Sequence, residues 1–392
     1  MSFSEGKYAL MRAGREALRR GDAEAAREHF EQATAAEPSN AEAWFGLAQA
    51  FRALKNAPGA SAAIERTLAL EPRSFRALVL RGDLYAEDGN GRAASSFYAA
   101  AVRSAPPQGQ LTAQLSSELR RAQDMCERYA REYESFLRER LIANGLDPAH
   151  SSGRFAQSLD LMMGRKKIFL QQPVQYYLPE LPQIQFYERK NFPWLDAVEA
   201  ATDDIVAELH GVMKNESEFK PYVERIPDRP RPTYGGMTES MDWSAFFLWR
   251  NGEAVPENAA RCPKTIAALK NVPHSVVPGR MPSILFSQLR AGARIPPHNG
   301  FVNTRLICHL PLIVPEKCGF RVGNEARTWE KGKAWVFDDT IEHEAWNNSR
   351  ETRVILLFEI WRPELTETER QLVATLIDAI DAYRGERVPW NS

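Results

Sequence analysis

Prolines at positions 38, 72 and 106 recur at an interval of 34 residues, and a fixed period of that length restricts the fold more tightly than any other feature of this chain. Other positions keep the same register. A small residue stands at Gly14, Ala48 and Gly82, where two helices must approach closely, and another at Ala26, Ala60 and Ala94. A larger apolar residue follows at Phe30, Ile64 and Tyr98. Gly21-Asp22, Asn56-Ala57-Pro58-Gly59 and Gly89-Asn90-Gly91 are turn signals that divide each unit into two helices. Stacked hairpins of this kind bury their faces only against neighbours, so the last one needs a polar cap. Between Gln110 and Asn144, Leu111, Leu115, Leu119, Met125, Tyr129 and Tyr133 form a rough helical stripe among charged residues, ending at Gly145. That stretch is a capping helix or a helical spacer.

The array resembles the tetratricopeptide repeat, in three copies over about residues 7 to 108. The resemblance implies an all-α solenoid whose concave surface receives a peptide or protein. Residues 1–145 are expected to be this domain and 146–180 a linker, polar and small from Asp147 to Gly164 and then rich in proline and aromatics from Phe169 to Trp194.

Residues 181–392 read differently. An amphipathic helix is expected over about Asp196 to Met213, with Val198, Ile205, Leu209 and Val212 facing a core. A loop rich in proline and charge, Pro227 to Gly236, precedes a β-prone run from Trp243 to Trp249. A short helix at Pro263–Leu269 follows, then strands near 283–289, 304–314, 320–322, 333–338 and 352–361, and a last helix over about Thr366 to Tyr383 packed on the outside. Short strands separated by turn signals point to an antiparallel sandwich or barrel.

Charge and cysteine usage exclude some function classes. Lys and Arg total 50 against 51 Asp and Glu, so no global field recruits nucleic acid or anionic lipid. Cys126, Cys262, Cys308 and Cys318 form no CxxC pair, which fits reduced thiols and no zinc finger. The N-terminus has no basic-then-apolar leader, and no window reaches the roughly 18 apolar residues of a membrane helix. A soluble, cytoplasmic protein is expected.

Functional side chains concentrate between Pro296 and Trp361. His298 follows the rigid Ile295-Pro296-Pro297, His343 ends Asp338-Asp339-Thr340-Ile341-Glu342-His343, and Arg353 stands on the next strand. Alternation along Arg305-Leu306-Ile307-Cys308-His309 turns Arg305, Ile307 and His309 to one face. Two imidazoles at strand ends beside an arginine suit a metal next to a carboxylate anchor. The other histidines, His29, His150, His210 and His274, are expected to be structural.

His298-Asn299-Gly300, Asn303-Thr304-Arg305-Leu306, His309-Leu310, Trp329-Glu330-Lys331-Gly332, Phe337-Asp338-Asp339, Glu342-His343-Glu344 and Trp361-Arg362-Pro363-Glu364-Leu365 together resemble the aspartyl/asparaginyl β-hydroxylase family, from about Phe186 to the C-terminal helix. The resemblance implies a double-stranded β-helix (jelly-roll or cupin-like) domain with flanking helices, using Fe(II), 2-oxoglutarate and dioxygen. It implies His298 and His343 as metal ligands, Arg353 as partner of the distal 2-oxoglutarate carboxylate with Trp243, Ser287 and His309 completing that pocket, and Arg305 near a substrate carboxylate. The chain departs from relatives of this chemistry at Gly300, where most carry a carboxylate ligand that this family also lacks, and from the animal enzyme at Ile307, where that enzyme has a basic residue. Asp338, Asp339, Glu342 and Glu344 are expected to be structural. The function expected is hydroxylation of an unactivated C–H bond in an Asp- or Asn-type residue of a peptide or protein held by the repeats. The alternatives are a lipid or small-molecule hydroxylase of the same chemistry and a repeat-based adaptor without catalysis.

Overall fold

The computed structural model describes residues 3–107, 109, 111–146, 153–225 and 236–384, and divides the chain into two compact units, residues 1–163 and 164–392. The linker residues 147–152, with His150, and most of the expected loop 227–236 lie outside the described residues.

The first unit holds α1 (Phe3–Arg20), α2 (Ala23–Ala36), α3 (Ala41–Ala53), α4 (Ala57–Leu70), α5 (Phe75–Glu87), α6 (Gly91–Arg103), α7 (Ala113–Ala143) and α8 (Gly153–Met162). Three helical hairpins thus stand where the period puts them. The turn signals become helix caps: the side chains of Asp22, Asn56 and Asn90 accept the backbone N–H three residues on, as an N-cap does. Just before each cap the chain takes the left-handed conformation, at Gly21, Lys55 and Gly89, again 34 residues apart. Phe30 lies between the glycines of two helices: a Cβ at Gly14 would come within 2.8 Å of its ring, and one at Gly46 would overlap it. Gly82 meets Tyr98 in the same way at 2.9 Å, while the smaller Ile64 shares its core with Ala48. Side-chain size thus varies in step with the space opposite. Gly46, two residues off the repeat register, escapes a reading based on the period alone.

The N-terminal half of α7 caps the third hairpin. Arg121 forks onto buried Asp83 at 2.6 and 3.0 Å, Asp83 also accepts the Tyr98 hydroxyl at 2.6 Å, and Tyr129 stacks on Tyr98. Within the expected linker, residues 153–162 form α8.

The second unit contains α9 (Leu195–Ala200), α10 (Thr202–Met213), β1 (Lys220–Pro221), β2 (Trp243–Arg250), β3 (Glu253–Ala254), α11 (Pro256–Ala259), α12 (Pro263–Leu269), β4 (Ile284–Leu289), β5 (Arg294–His298), β6 (Arg305–Ile313), β7 (Cys318–Val322), β8 (Glu325–Arg327), β9 (Trp335–Phe337), β10 (His343–Asn347), β11 (Arg353–Trp361) and α13 (Glu367–Arg384). The single helix expected over 196–213 is broken at Ala201, after which the Thr202 hydroxyl donates back to the Glu199 carbonyl at 2.6 Å. All named strand pairs are antiparallel: a seven-stranded sheet in the order β1-β2-β4-β11-β6-β9, with β3 on β2, and a four-stranded sheet in the order β5-β10-β7-β8.

Strand alternation makes two interiors. Val354, Leu356, Phe358 and Ile360 of β11 join Leu306, Cys308 and Leu310 of β6 under α9, α10 and α12, burying Leu195, Val198, Ile205, Leu209 and Leu269. The opposite faces look toward the four-stranded sheet and enclose the candidate site. The four cysteines are free, and no helix among the described residues is long and apolar enough to cross a membrane.

Lys55 carries a left-handed backbone (φ 55°) where the flanking repeats use glycine, a conformation that costs a side chain of L chirality about 1 kcal/mol. Lys55→Gly is expected to raise the stability of the helical unit by roughly 0.5–1 kcal/mol, and Gly89→Lys to lower it by a similar amount, measured as the shift of the urea transition followed by circular dichroism.

Candidate active site

β5 is an edge strand, and Pro296 and Pro297 stand together at its register shift, opposite Glu344, where the regular ladder is already interrupted and a missing N–H is tolerated. A register shift opposite them ends at His298, the last residue of β5, which pairs directly with His343, the first residue of β10. Directly paired residues project to the same side, and the two imidazole rings lie 4.1 Å apart between centroids. The sequence reading set His298 before a strand and His343 beyond one; both belong to strands. A Pro-Pro pair and an acidic turn conceal the β pattern of two short segments whose pairing is long-range.

Each ring has its Nδ1 against a carbonyl, Pro296 O at 2.8 Å for His298 and Ile341 O at 3.1 Å for His343. A carbonyl only accepts, so Nδ1 carries the proton and Nε2 keeps its lone pair, the tautomer a metal-binding imidazole needs. Burial lowers the His298 pKa to about 3, aided by neighbouring His343, and lowers that of His343 to about 4. Both rings are neutral at physiological pH.

The other expected residues share the same cavity of about 90 Å³: Trp243, Ser287, Arg305, His309 and Arg353 line it with the two histidines. Arg353, 1% exposed, has its guanidinium carbon 4.8 Å over the Trp329 ring, and its Nε and Nη1 have no hydrogen-bond partner. Burial pushes its pKa down to about 10. The Nδ1 of buried His309 is also unpartnered, and burial, with Arg353 nearby, pushes its pKa well down. Trp243 Nε1 donates to Ser287 Oγ at 3.3 Å, and Ser287 is the cross-strand partner of Ile355, one turn of the pleat from Arg353. A buried cation with unused donors fits an anionic ligand; two neutral imidazoles fit a divalent metal.

Arg305 reaches the cavity but is engaged, with Asp339 at 3.0 Å and in contact with Glu359. Asp339 also explains Gly300, because a Cβ at residue 300 would overlap its carboxylate. Asp338 is buried against Arg362, while Glu342 and Glu344 pair with Arg321. Among the described residues no third His, Cys, Asp or Glu joins the two histidines in a metal-binding cluster. His274 is held by the carbonyls of Glu359 and Leu269. The cavity also contains Tyr222, stacked on Trp243 at 4.2 Å, and Phe301, neither singled out from sequence. Tyr222 follows a two-residue edge strand that leaves no periodic signal.

Residues 199–363 match the family model described as aspartyl/asparaginyl beta-hydroxylase. Over those residues the chain is similar to that family. Residues 11–60 and 56–109 match the tetratricopeptide repeat. The chain is 39% identical over 142 residues to human aspartyl/asparaginyl beta-hydroxylase, covering 36% of this chain and 18% of that protein. It is 34% identical over 180 residues to the ornithine lipid ester-linked acyl 2-hydroxylase of Rhizobium tropici, covering 45% and 60%. It is 28% identical over 207 residues to human aspartate beta-hydroxylase domain-containing protein 2, covering 52% and 54%. The match thus spans less than a fifth of the first of these relatives and less than two thirds of the others.

Histidines whose folded pKa lies below the unfolded 6.5 take up protons first in the unfolded chain, so their contribution to stability is intact above that value and lost as pH falls below it. In the presence of a chelator, the melting temperature of the full chain is expected to fall between about pH 6.5 and pH 5, and the fall to be shallower in His309→Gln; an unchanged slope in that variant would exclude His309 from the titration.

Proposed function

We propose that this protein is an Fe(II)- and 2-oxoglutarate-dependent dioxygenase that hydroxylates an unactivated C–H bond. The observation that carries the reading is the juxtaposition, in one cavity, of two cross-strand imidazoles held in the Nδ1–H tautomer and a buried arginine with unused donors. The match of residues 199–363 to the aspartyl/asparaginyl beta-hydroxylase model supports it. The paired sheets are consistent with a double-stranded β-helix.

In this reading His298 and His343 hold the iron through Nε2, and the carbonyls of Pro296 and Ile341 keep both rings oriented. Arg353 binds the distal carboxylate of 2-oxoglutarate as a planar fork, a match that a lysine would not reproduce. Ser287 and His309 supply hydrogen bonds beside it, and Trp243 and Trp329 exclude water from the anchor. Iron held there would supply the oxidising power, with 2-oxoglutarate and dioxygen as cosubstrates. The wall of Ile295, Ile307, Ile355 and Leu357 keeps the site dry, which strengthens the anchor's electrostatics.

The relatives suggest two acceptor classes by their names: an Asp- or Asn-type residue of a protein, and an acyl chain of a lipid. In the first case the tetratricopeptide repeats would present the peptide. No observation favours the adaptor reading. A cytoplasmic location belongs to the same proposal.

Full-chain protein is expected to bind iron and 2-oxoglutarate and to release succinate. His343→Ala is expected to abolish turnover with the circular dichroism spectrum unchanged, and Arg353→Met to weaken 2-oxoglutarate binding by about 30-fold or more, in line with removal of a buried charge partner. Iron-dependent turnover persisting in His343→Ala, or unaltered 2-oxoglutarate affinity in Arg353→Met, refutes the assignment.

A further inference from the structure

Two guanidiniums line the cavity, and they differ in how their charge is balanced. Arg353 has no carboxylate partner among the described residues, and two of its nitrogens have no hydrogen-bond partner. Arg305, 5% exposed, is bridged by the Asp339 carboxylate at 3.0 Å and contacts that of Glu359, whose other oxygen accepts the Ser283 N–H at 2.9 Å. One cation against two carboxylates leaves this cluster with no positive charge to offer a ligand. Ile307, which shares the strand face with Arg305 and His309, is the cross-strand partner of Glu359 and adds an apolar side chain to the lining at that level.

An extended segment runs along the cavity loop, Val174 N–H donating to Gly300 O at 3.0 Å and Gln175 N–H to Phe301 O at 2.9 Å, and both acceptor residues line the cavity. Val174 and Tyr177 on that segment are 61% and 48% exposed. Exposed apolar side chains thus stand on the segment bonded to Gly300 and Phe301.

On the basis of the hydroxylase reading, we propose that the acceptor enters this cavity as an uncharged, largely apolar group, so that the C–H bond attacked belongs to an aliphatic or amide-bearing chain and not to one carrying a carboxylate there. An acceptor carboxylate beside Arg305 would be desolvated next to a cation already compensated twice, and a buried anion without a partner is strongly disfavoured. Arg353, the other cation, is taken by the cosubstrate. Arg305 is then a positioning residue: it holds Asp339 across the space at Gly300 and ties β6 to β11 through Glu359.

The test uses full-chain protein with manganese(II) and saturating 2-oxoglutarate under nitrogen, and follows thermal shift on titration with hexanamide and hexanoate, a neutral and an anionic probe of matched size. Hexanamide is expected to bind at least about tenfold more tightly than hexanoate. Glu359→Gln, which removes one of the two charges on Arg305, is expected to shift the preference toward hexanoate; Asp339→Asn gives the same comparison if Glu359→Gln does not fold. Wild-type preference for hexanoate, equal binding of the two, absence of binding by either, or no shift in a folded variant each overturns the proposal. Failure of the wild type to bind 2-oxoglutarate overturns the hydroxylase reading instead, and the same two titrations on metal-free Arg353→Met protein, in which Arg305 is the remaining cavity guanidinium, still report the charge preference.

Discussion

The candidate site depends on a buried ion pair that does not itself line it. Arg362, at the end of β11, donates to Asp338 at 2.9 Å, and both side chains are fully buried. Its two terminal nitrogens also donate to the carbonyls of Asn303 and Pro182 and to the Tyr187 hydroxyl. Gln171 completes the shell of Asp338 at 2.6 Å and accepts from Asn303 at 2.9 Å. The second oxygen of Asp338 accepts from the backbone and hydroxyl of Thr340, which makes the turn Asp338-Asp339-Thr340. That turn sends Asp339 toward Arg305 and the chain onward into β10, where His343 begins. Breaking a buried pair of this kind costs about 3–5 kcal/mol because the remaining charge is left unpaired. The geometry of His343 therefore rests on an arginine 19 residues later and on a proline-rich segment about 160 residues earlier.

β11 links the stability of the unit to its chemistry. Its even-numbered residues from Val354 to Ile360 fill the core under the helices, and Arg353, Ile355 and Leu357 on the other face line the cavity. A slip of one residue would exchange the two sets, putting an unpaired guanidinium into a hydrocarbon core. Pairing on both sides, with β4 and β6, holds the strand in register. The four-stranded sheet contributes what the larger sheet cannot: a proline-containing edge strand whose bulge brings one histidine opposite another.

The repeats obey a different rule. Their contacts are local, and each bulky residue is matched by a missing side chain in a neighbouring helix, as Phe30 is by Gly14 and Gly46 and Tyr98 by Gly82. The Asp83 carboxylate, shared by Tyr98, Arg52 and Arg121, joins two hairpins and the capping helix through charge-assisted hydrogen bonds.

The amino-acid sequence alone determined the features that repeat over short distances. The 34-residue period located six helices, an apolar stripe located the helix after them, and period-2 alternation turned Arg305, Ile307 and His309 to one face. His298, His343 and Arg353 were legible as a group because the motifs around them are dense and specific. What only the tertiary structure decided lies in pairings between distant segments. That Arg305 is occupied by Asp339 and Glu359 depends on a turn and a strand 34 and 54 residues further along the chain. Likewise, β5 and β10 are strands because they meet each other, against what Pro296-Pro297 and an acidic turn signal locally. The break at Ala201 and the left-handed Lys55 also go against local preference. Periodicity reports which faces a segment buries, whereas charge compensation and strand pairing are settled by which groups the fold brings together, and that information is spread along the chain.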